Sequence, residues 1–479
     1  MDSFVRTLVG APVAAVLVLA PAPASSQIHE RSWLAGDHHV HSRRSEDYNE
    51  ATNPPTPIAG TDAEYPILLN ALRAREYGLS WMVSTDHGGP FHSTYNLEET
   101  YPEIVQARAE VPEVLLFYGM EFDTPGANHT SLIIPKVPDE DSLLYEIESR
   151  FAEDDAWPEE DVRSTEQHML DALAWMQARP VKPLTFTNHP SRSADGLGVW
   201  GANEPHEFRA WNDIAPEVAV GMEGAPGHQG RLKRDGSPRT DGDRGNYGNY
   251  PTHGGVDQVT AVVGGMWDAL LGEGRRWWIT ATSDSHRNWR EGGGDFWPGE
   301  YSKTWVRAAR THEDVMDGLR RGRSFITFGD LITEMELRVD VEGGGSAGLG
   351  GSTRLPAHGS DVTITVRVRD PEAPNQRGHR VAPARIDLIV GEIHGPAADR
   401  SSDRNPTTRV VRRFIETDWT RKGEILTMAH VLEDVTSPIY VRIRGTADAA
   451  QLEPDPDPIG EDPWQDLWFY SNPVFVERR

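Results

Sequence analysis

Short apolar runs alternate with amphipathic stretches from about residue 32 to residue 331. The apolar runs predict buried strands at residues 79–85, 114–120, 184–187, 218–222 and 277–282. Between them, apolar positions at helical spacing predict helices at residues 66–77 and 164–178. This alternation of strand and helix is typical of a parallel sheet or barrel, so we expect an α/β fold here.

The pattern changes after residue 331, where apolar and polar residues alternate one by one. Residues 362–368 (VTITVRV) and 439–443 (IYVRI) show this period of two, which is typical of strands with one buried face. We therefore expect two folding units. An α/β unit would span residues 28–332, and a separate antiparallel β-sandwich would span residues 333–479.

The N-terminal segment has the pattern of a targeting signal. Arg6 precedes an apolar run over residues 8–20, and Ala22-Pro23-Ala24 offers small residues for cleavage. We expect residues 1–24 to be a signal peptide that is removed, which would leave a secreted or periplasmic protein with no membrane span. The alternative is an uncleaved anchor, but a span needs about 20 apolar residues, and this run ends at Pro21.

Composition narrows the choice of partners. The chain has 479 residues, a formal net charge of −27 and no cysteine. Its overall field repels long nucleic acids, so a small-molecule substrate is favoured. Without cysteine the chain has neither disulfides nor thiolate ligands for metals. The sequence leaves the oligomeric state open.

Histidine and acidic residues are grouped directly after the predicted strands. The groups are Asp37-His38-His39-Val40-His41-Ser42, Ser84-Thr85-Asp86-His87, Gly119-Met120-Glu121, Asn128-His129, Asn188-His189-Pro190 and Ser283-Asp284-Ser285-His286. In a barrel of parallel strands the loops after the strands meet at one rim, so we expect these groups to converge. Buried imidazoles and carboxylates need partners, which a metal cluster supplies. The ligand types suit Zn, Mn or Fe.

The order of these groups resembles the polymerase and histidinol phosphatase (PHP) superfamily of metallohydrolases, over roughly residues 32–331. The resemblance implies a distorted (β/α)7 barrel that binds two or three divalent metal ions. The implied ligands are His39, His41, Glu121 and Asp284 for one metal, Glu121, His129 and His189 for a second, and His87, His286 and an acid near Asp47 for a third. Spacing does not separate Asp47 from Glu46, and we favour Asp47. Amidohydrolase barrels also begin with a His-x-His pair, but they usually need a carboxylated lysine, whose place Glu121 takes here.

Several polar residues near these groups have alternative roles. Asp37 and Asp86 would either orient ligand imidazoles or cap turns. Glu223, at the end of a predicted strand, would contact the substrate, transfer protons or support the ligands from behind. His38 and His92 lack comparable neighbours in the sequence, and we expect them on the surface.

The resemblance also implies hydrolysis, with Glu121 and Asp284 at the reacting centre and metal ions that activate water. Many PHP enzymes act on phosphate esters, and a phosphoryl group needs cationic donors besides the metals. Arg192 and Arg287 follow two of the histidine groups and are the candidates. We therefore expect a phosphoesterase for a small phosphate ester.

Two alternatives remain. Residues 322–327 (GRSFIT) and 470–476 (YSNPVFV) resemble an exported branch of the superfamily that includes carbaryl-hydrolase-like enzymes, which implies a carbamate or carboxylester hydrolase. Trp200, Trp211, Trp289 and Trp297 lie in predicted loops, where they would either form an apolar wall for an aromatic substrate or pin the loops to the barrel. The non-enzyme alternative is an exported metal- or carbohydrate-binding protein.

Overall fold

One large mixed sheet runs through both halves of this α/β protein, as a computed structural model shows. The structure describes residues 1, 30–45, 47–227, 237 and 247–478. The predicted signal peptide, apart from Met1, and Glu46 lie outside the described residues. Within the described part, no helix has the length and apolar character needed to cross a membrane.

The first part of the large sheet comes from the region predicted as α/β. Its strands, with the small hairpin formed by β2 and β3, are β1 (Ser32–Asp37), β2 (Asp47–Asn49), β3 (Thr56–Ile58), β4 (Trp81–His87), β5 (Leu115–Asp123), β6 (His129–Ile133), β7 (Leu184–Thr187), β8 (Ala219–Ala225), β9 (Trp278–Ala281), β10 (Ser302–Ala308) and β11 (Ser324–Phe328). The strand order is β11-β10-β1-β4-β5-β6-β7-β8-β9. Strands β1, β4 and β5 are parallel, as are β7, β8 and β9.

Strand β6 departs from the expected parallel arrangement. It pairs antiparallel with both β5 and β7. The reason is the short connection from Asp123 to His129, because a tight turn can join only antiparallel neighbours and a parallel crossover needs a dozen or more residues. The hairpin brings the start of β6 to the same end of the sheet as the end of β5.

The end of β1, which lies inside the sheet, meets the end of the edge strand β9. No ladder joins these two strands among the described residues, but Val40 and Ser285 form an isolated parallel bridge. The His41 backbone N–H donates to the Ser285 carbonyl at 3.1 Å, and the Asp284 N–H donates to the His39 carbonyl at 3.0 Å. These bonds hold the first and last histidine groups side by side.

Helices surround this part of the sheet. They are α1 (Ile67–Glu76), α2 (His92–Tyr95), α3 (Tyr101–Glu110), α4 (Glu140–Phe151), α5 (Glu166–Gln177), α6 (Pro205–Ile214), α7 (Gln258–Ala261), α8 (Met266–Gly272) and α9 (His312–Arg320). The helices predicted at 66–77 and 164–178 are confirmed as α1 and α5. Helix α5 begins where the Thr165 side chain accepts a hydrogen bond from the His168 N–H, which satisfies one of the unpaired donors at a helix start.

The C-terminal part is rich in antiparallel strands, as predicted. They are β12 (Glu334–Val341), β13 (Gly345–Ala347), β14 (Ser352–Arg354), β15 (Ser360–Arg369), β16 (Arg385–Glu392), β17 (Arg409–Ile415), β18 (Thr420–Lys422), β19 (Ile425–Val435), β20 (Ile439–Thr446), β21 (Trp468–Ser471) and β22 (Val474–Glu477). Five of them form a separate sheet in the order β13-β12-β15-β19-β18. The others extend the large sheet, because β21 pairs antiparallel with β11.

Side chains also connect the C-terminal strands to the first part of the chain. The Asn472 amide accepts from the Ile279 N–H at 2.9 Å and donates to the Ile279 carbonyl at 3.2 Å. It thereby pairs with the edge of β9 in place of another strand. Arg442 on β20 forms a fully buried ion pair with Asp268 on α8, at 2.7 Å. The two regions therefore share both a sheet and a buried polar interface.

Candidate metal centre

The predicted histidine and acid groups converge at one end of the sheet. His39 and His41 follow β1, His87 ends β4, Glu121 lies near the end of β5, and His129 begins β6. His189 follows β7, and Asp284 and His286 follow β9. These side chains form overlapping groups whose ligand atoms lie within 4.8 Å of one another. The structure thus brings together residues from across the first 286 positions.

The innermost group contains His39, His41, Glu121 and Asp284, all buried. His39 Nε2 lies 3.3 Å from Glu121 Oε1 and 3.2 Å from Asp284 Oδ1. His41 Nε2 lies 3.3 Å from Glu121 Oε2 and 3.1 Å from the same Asp284 oxygen. The two imidazole nitrogens are 3.0 Å apart.

Glu121 connects this group to a second one. Its Oε1 lies 3.0 Å from His129 Nδ1 and 3.1 Å from His189 Nε2, and its Oε2 lies 3.2 Å from His87 Nδ1. One carboxylate therefore faces histidines on both sides. This is the arrangement of a carboxylate that bridges two cations.

The third group contains His41, Asp62, His87 and His286. Asp62 Oδ2 lies 3.2 Å from His286 Nε2 and 3.9 Å from His87 Nε2. The structure therefore places Asp62, rather than Asp47, beside these histidines. Asp47 is exposed in β2, and the β2–β3 hairpin carries it outward before the chain returns to the cluster at Asp62. Sequence reasoning missed Asp62 because no neighbouring histidine marks it.

Charge explains why the cluster favours a cation. Burial by itself lowers the pKa of His39, but the carboxylates of Asp284, Glu121 and Glu223 raise it well above its ordinary value. Burial also lowers the pKa of His41, while hydrogen bonds to Asp284 and Glu121 raise it to about 9. Burial raises the pKa of Glu121, but the surrounding histidines bring it well below its ordinary value. The carboxylates thus attract positive charge, which either protons or metal ions supply.

The spacing of the ligand atoms also fits divalent ions. Nitrogen and oxygen ligands bind such ions at about 2.0–2.2 Å, so neighbouring ligand atoms around one ion lie roughly 3.0–3.5 Å apart. The separations of 3.0–3.3 Å within the innermost group fall in this range. The cluster could therefore hold more than one divalent ion, with Glu121 shared between two of them.

Glu223 supports the cluster from behind. It is fully buried, and its Oε1 accepts from His39 Nδ1 and from Thr282 Oγ1, each at 2.7 Å. Its Oε2 accepts from the His189 backbone N–H at 2.5 Å. A hydrogen bond at Nδ1 fixes the ring of His39 so that its Nε2 faces the cluster. Of the roles expected for Glu223, the geometry favours support of the ligands.

Asp37 and Asp86 bond to backbone groups and to a serine hydroxyl rather than to ligand imidazoles. Asp37 accepts from the backbone N–H groups of His39 and Ser283, and Asp86 accepts from the N–H and hydroxyl of Ser42. They hold the turns that carry the ligands.

Two cluster residues have an unusual backbone. His189 has a φ of 29° and Asp284 a φ of 46°, in a region that side chains with a β-carbon rarely adopt. Their N–H groups donate to Glu223 and to the His39 carbonyl, respectively. Such conformations persist only where neighbouring contacts fix them, and they concentrate at functional sites.

The two candidate arginines differ in position. The Arg192 guanidinium lies at the cluster, with Nη2 2.5 Å from His189 Nε2 and Nη1 3.6 Å from Asp284 Oδ2. Binding of a metal by His189 Nε2 therefore requires this guanidinium to move. Arg287 is half exposed and pairs with Glu64 at 3.3 Å, so the structure does not bring it to the cluster.

The structure decides between the two roles expected for the tryptophans and corrects the positions of two histidines. Trp211, Trp289 and Trp297 are buried and Trp200 is partly buried, so they do not form an open wall. Trp211 lies in α6 rather than in the predicted loop. His38 and His92 are buried instead of exposed. His38 Nε2 lies 2.7 Å from Thr280 Oγ1, and His92 Nδ1 lies 2.5 Å from Glu148 Oε1. Each of these two imidazoles contacts a polar side chain that is distant in the sequence.

No protein-family model and no curated protein is matched by this chain. Among solved structures, it is similar to the lesion-specific endonuclease PfuEndoQ from Pyrococcus furiosus, with 12% sequence identity and a TM-score of 0.32. The similarity covers 60% of this chain and 56% of the endonuclease chain. A similarity of this extent is too low to indicate a function for this chain.

Proposed function

We propose that this protein is a hydrolase that uses two or three divalent metal ions. The observation that carries the proposal is the position of Glu121, whose two oxygens face five histidines at 3.0–3.3 Å. A protein that only stores a metal needs no such shared carboxylate. The order of the ligand groups and the α/β sheet also support membership of the PHP superfamily.

The residues divide into those that hold metal and those that act on the substrate. His39, His41, Asp284 and Glu121 would hold one ion, and Glu121, His129 and His189 a second. Asp62, His87 and His286 would hold a third. Bound Zn, Mn or Fe would supply Lewis acidity that activates water and stabilises negative charge. Glu223 keeps the His39 ring oriented throughout.

A phosphate ester of a small molecule is the favoured substrate. The Arg192 guanidinium lies against His189 and Asp284, where it can donate to a phosphoryl oxygen once it leaves its present contact. A guanidinium is suited to this role because it donates two parallel hydrogen bonds. Carbamate or carboxylester hydrolysis is the second candidate. Arg287 lies away from the cluster, so only one of the two candidate arginines could bind an anionic phosphoryl group, whereas a neutral substrate needs neither.

The test combines metal analysis with a substrate panel. Purified protein is reconstituted separately with Zn, Mn and Fe and assayed on matched phosphate, carboxylate and carbamate esters. We expect at least two metal equivalents per chain and hydrolysis that chelation abolishes. Glu121→Gln keeps the side-chain shape but removes the bridging charge, so it should lose metal and nearly all turnover. Wild-type metal content and rate in Glu121→Gln would contradict the proposal.

We also propose that the protein is exported. The support is the pattern of Arg6, the apolar run at residues 8–20 and Ala22-Pro23-Ala24. N-terminal sequencing of the protein from an expressing bacterial culture should give a mature start near Ser25 in the secreted or periplasmic fraction. Recovery of the intact Met1 form from soluble cytoplasm would contradict export.

A further inference from the structure

The side-chain hydroxyl of Ser45 contacts three of the residues proposed to hold metal. Ser45 is fully buried. Its Oγ lies 3.1 Å from His41 Nδ1 and 2.6 Å from Asp62 Oδ2, and it accepts from the His87 backbone N–H at 3.2 Å. His41 belongs to both the innermost and the third group, whereas Asp62 belongs to the third alone. One hydroxyl therefore links ligands of two metal groups.

The chemistry of these groups fixes the direction of each hydrogen bond. An ionised carboxylate only accepts, so Ser45 donates its single hydroxyl proton to Asp62. The Ser45 oxygen then offers only lone pairs to the imidazole, and His41 Nδ1 must carry the proton that it donates. In a neutral ring this leaves Nε2 without a proton, as a metal ligand requires. His41 Nε2 is the nitrogen that faces Glu121 and Asp284.

Asp62 has few other contacts that hold its carboxylate in place. It follows the β2–β3 hairpin, and 29% of its side-chain surface is exposed. Within the described part of the chain, Ser45 is the one hydrogen-bond or ion-pair partner of this carboxylate that is not itself a proposed metal ligand. Ser45 also contacts His41 at the same ring nitrogen at which Glu223 contacts His39.

We propose that Ser45 is a positioning residue, whose hydroxyl orients His41 and Asp62 together and so couples the innermost metal group to the third. This inference rests on the proposed function, since it concerns the same cluster. Without the hydroxyl, the His41 ring loses the acceptor at Nδ1 and the Asp62 carboxylate is free to turn towards solvent. The third ion should be affected most, because both residues belong to its group. Partners that orient metal ligands typically change metal affinity about 10- to 100-fold when they are removed.

The test measures zinc binding by the full-length wild-type protein, Ser45→Ala and Ser45→Thr. Each protein is stripped of metal by chelation and dialysed to equilibrium against a series of buffered free zinc concentrations, and elemental analysis counts the bound ions. We expect Ser45→Ala, which removes a single oxygen atom, to bind the last ion about 10- to 100-fold more weakly than the wild type. The ions that bind earlier should change less. Ser45→Thr keeps a hydroxyl and should recover most of the lost affinity.

A matched control is Ser93→Ala. Ser93 is also buried, and its Oγ donates to Asp155 Oδ2 at 3.0 Å, but Asp155 is not a proposed metal ligand. Both alanine variants should lower the urea midpoint of the metal-free protein by similar amounts, whereas Ser45→Ala alone should weaken zinc binding.

Three results would overturn the role of Ser45. They are wild-type zinc affinity in Ser45→Ala, an equal loss of affinity in Ser93→Ala, and a Ser45→Thr variant that binds zinc no better than Ser45→Ala. A wild-type protein that binds fewer than two ions would reject both this role and the proposed function. Selective weakening in Ser45→Ala, without hydrolysis of any ester by the wild type, would keep the role of Ser45 and reject the hydrolase.

Discussion

At the scale of the residue, some members of the cluster can be predicted from the sequence pattern and others cannot. The grouping of His39, His41, Glu121 and Asp284 was predictable, because Glu121 and Asp284 follow predicted strands and His39 and His41 form a His-x-His pair in the order of the PHP resemblance. Asp62 was not, because its neighbours Thr61 and Ala63 carry no metal-binding chemistry and only the β2–β3 hairpin returns it to His286. A contact that forms only because the chain turns back on itself leaves no pattern in the residues next to it.

The assignment of Asp62 can be tested against the residue that the sequence favoured. Asp62→Asn removes a charge that faces His286 and His87, so it should lower the metal content by about one ion per chain. Asp47→Asn alters an exposed side chain and should leave metal content and rate unchanged. Elemental analysis of both reconstituted variants decides the matter, and the opposite result would restore Asp47.

A buried pair outside the cluster predicts a pH effect on stability. Burial lowers the pKa of His92, but the Glu148 carboxylate raises it to about 9, against about 6.5 in an unfolded chain. Because the folded pKa is the higher one, the contact stabilises fully below pH 6.5 and is lost as pH rises through 9. Urea unfolding should show a loss on the order of 1–3 kcal/mol between pH 6.5 and 9. His92→Gln should reduce this slope, whereas exposed His358→Gln should not.

At the scale of the element, the strands themselves were easier to predict than their direction. Residues 114–120 and 184–187 read correctly as strands, yet the antiparallel β6 between them depends on a connection too short for a crossover. The connection of the two regions through β11 and β21 could not be predicted either, since pairing between strands that are distant in the sequence leaves no local pattern.

The interface between α8 and β20 makes a prediction of its own. Arg442→Met leaves Asp268 buried without its partner, and breaking such a pair costs about 3–5 kcal/mol. Chemical denaturation should show a loss of this size, and Asp268→Leu in the same chain should recover part of it. Arg338→Met is the control, because its pair with Asp340 is exposed and should contribute less than about 1 kcal/mol. Equal losses of stability from Arg442→Met and Arg338→Met would show that burial does not increase the contribution of the Arg442–Asp268 pair to stability.

At the scale of the whole molecule, the shared sheet argues against two independently stable units. The sequence predicted a boundary at residue 332, where the pattern of apolar and polar residues changes, but stability depends on contacts that cross this boundary. Strand β11 pairs with β21, Asn472 covers the edge of β9, and Asp268 is neutralised by Arg442. Asp284 and His286, which are proposed metal ligands, lie shortly after β9, so loss of its edge partner would disturb the cluster.

Deletion of residues 333–479 therefore tests whether the α/β part can fold without the C-terminal strands. The remaining chain would expose the hydrogen-bonding edge of β11, which favours aggregation, and would uncover the face of α8 that packs on β16 and β20. We expect the truncated protein to be largely insoluble or to unfold without cooperativity, and to retain less than one metal equivalent. Full-length protein expressed in parallel is the control. A truncated chain that stays monomeric, unfolds near the Tm of the full-length protein and keeps its metal would show that the α/β part folds alone and that the C-terminal strands are accessory.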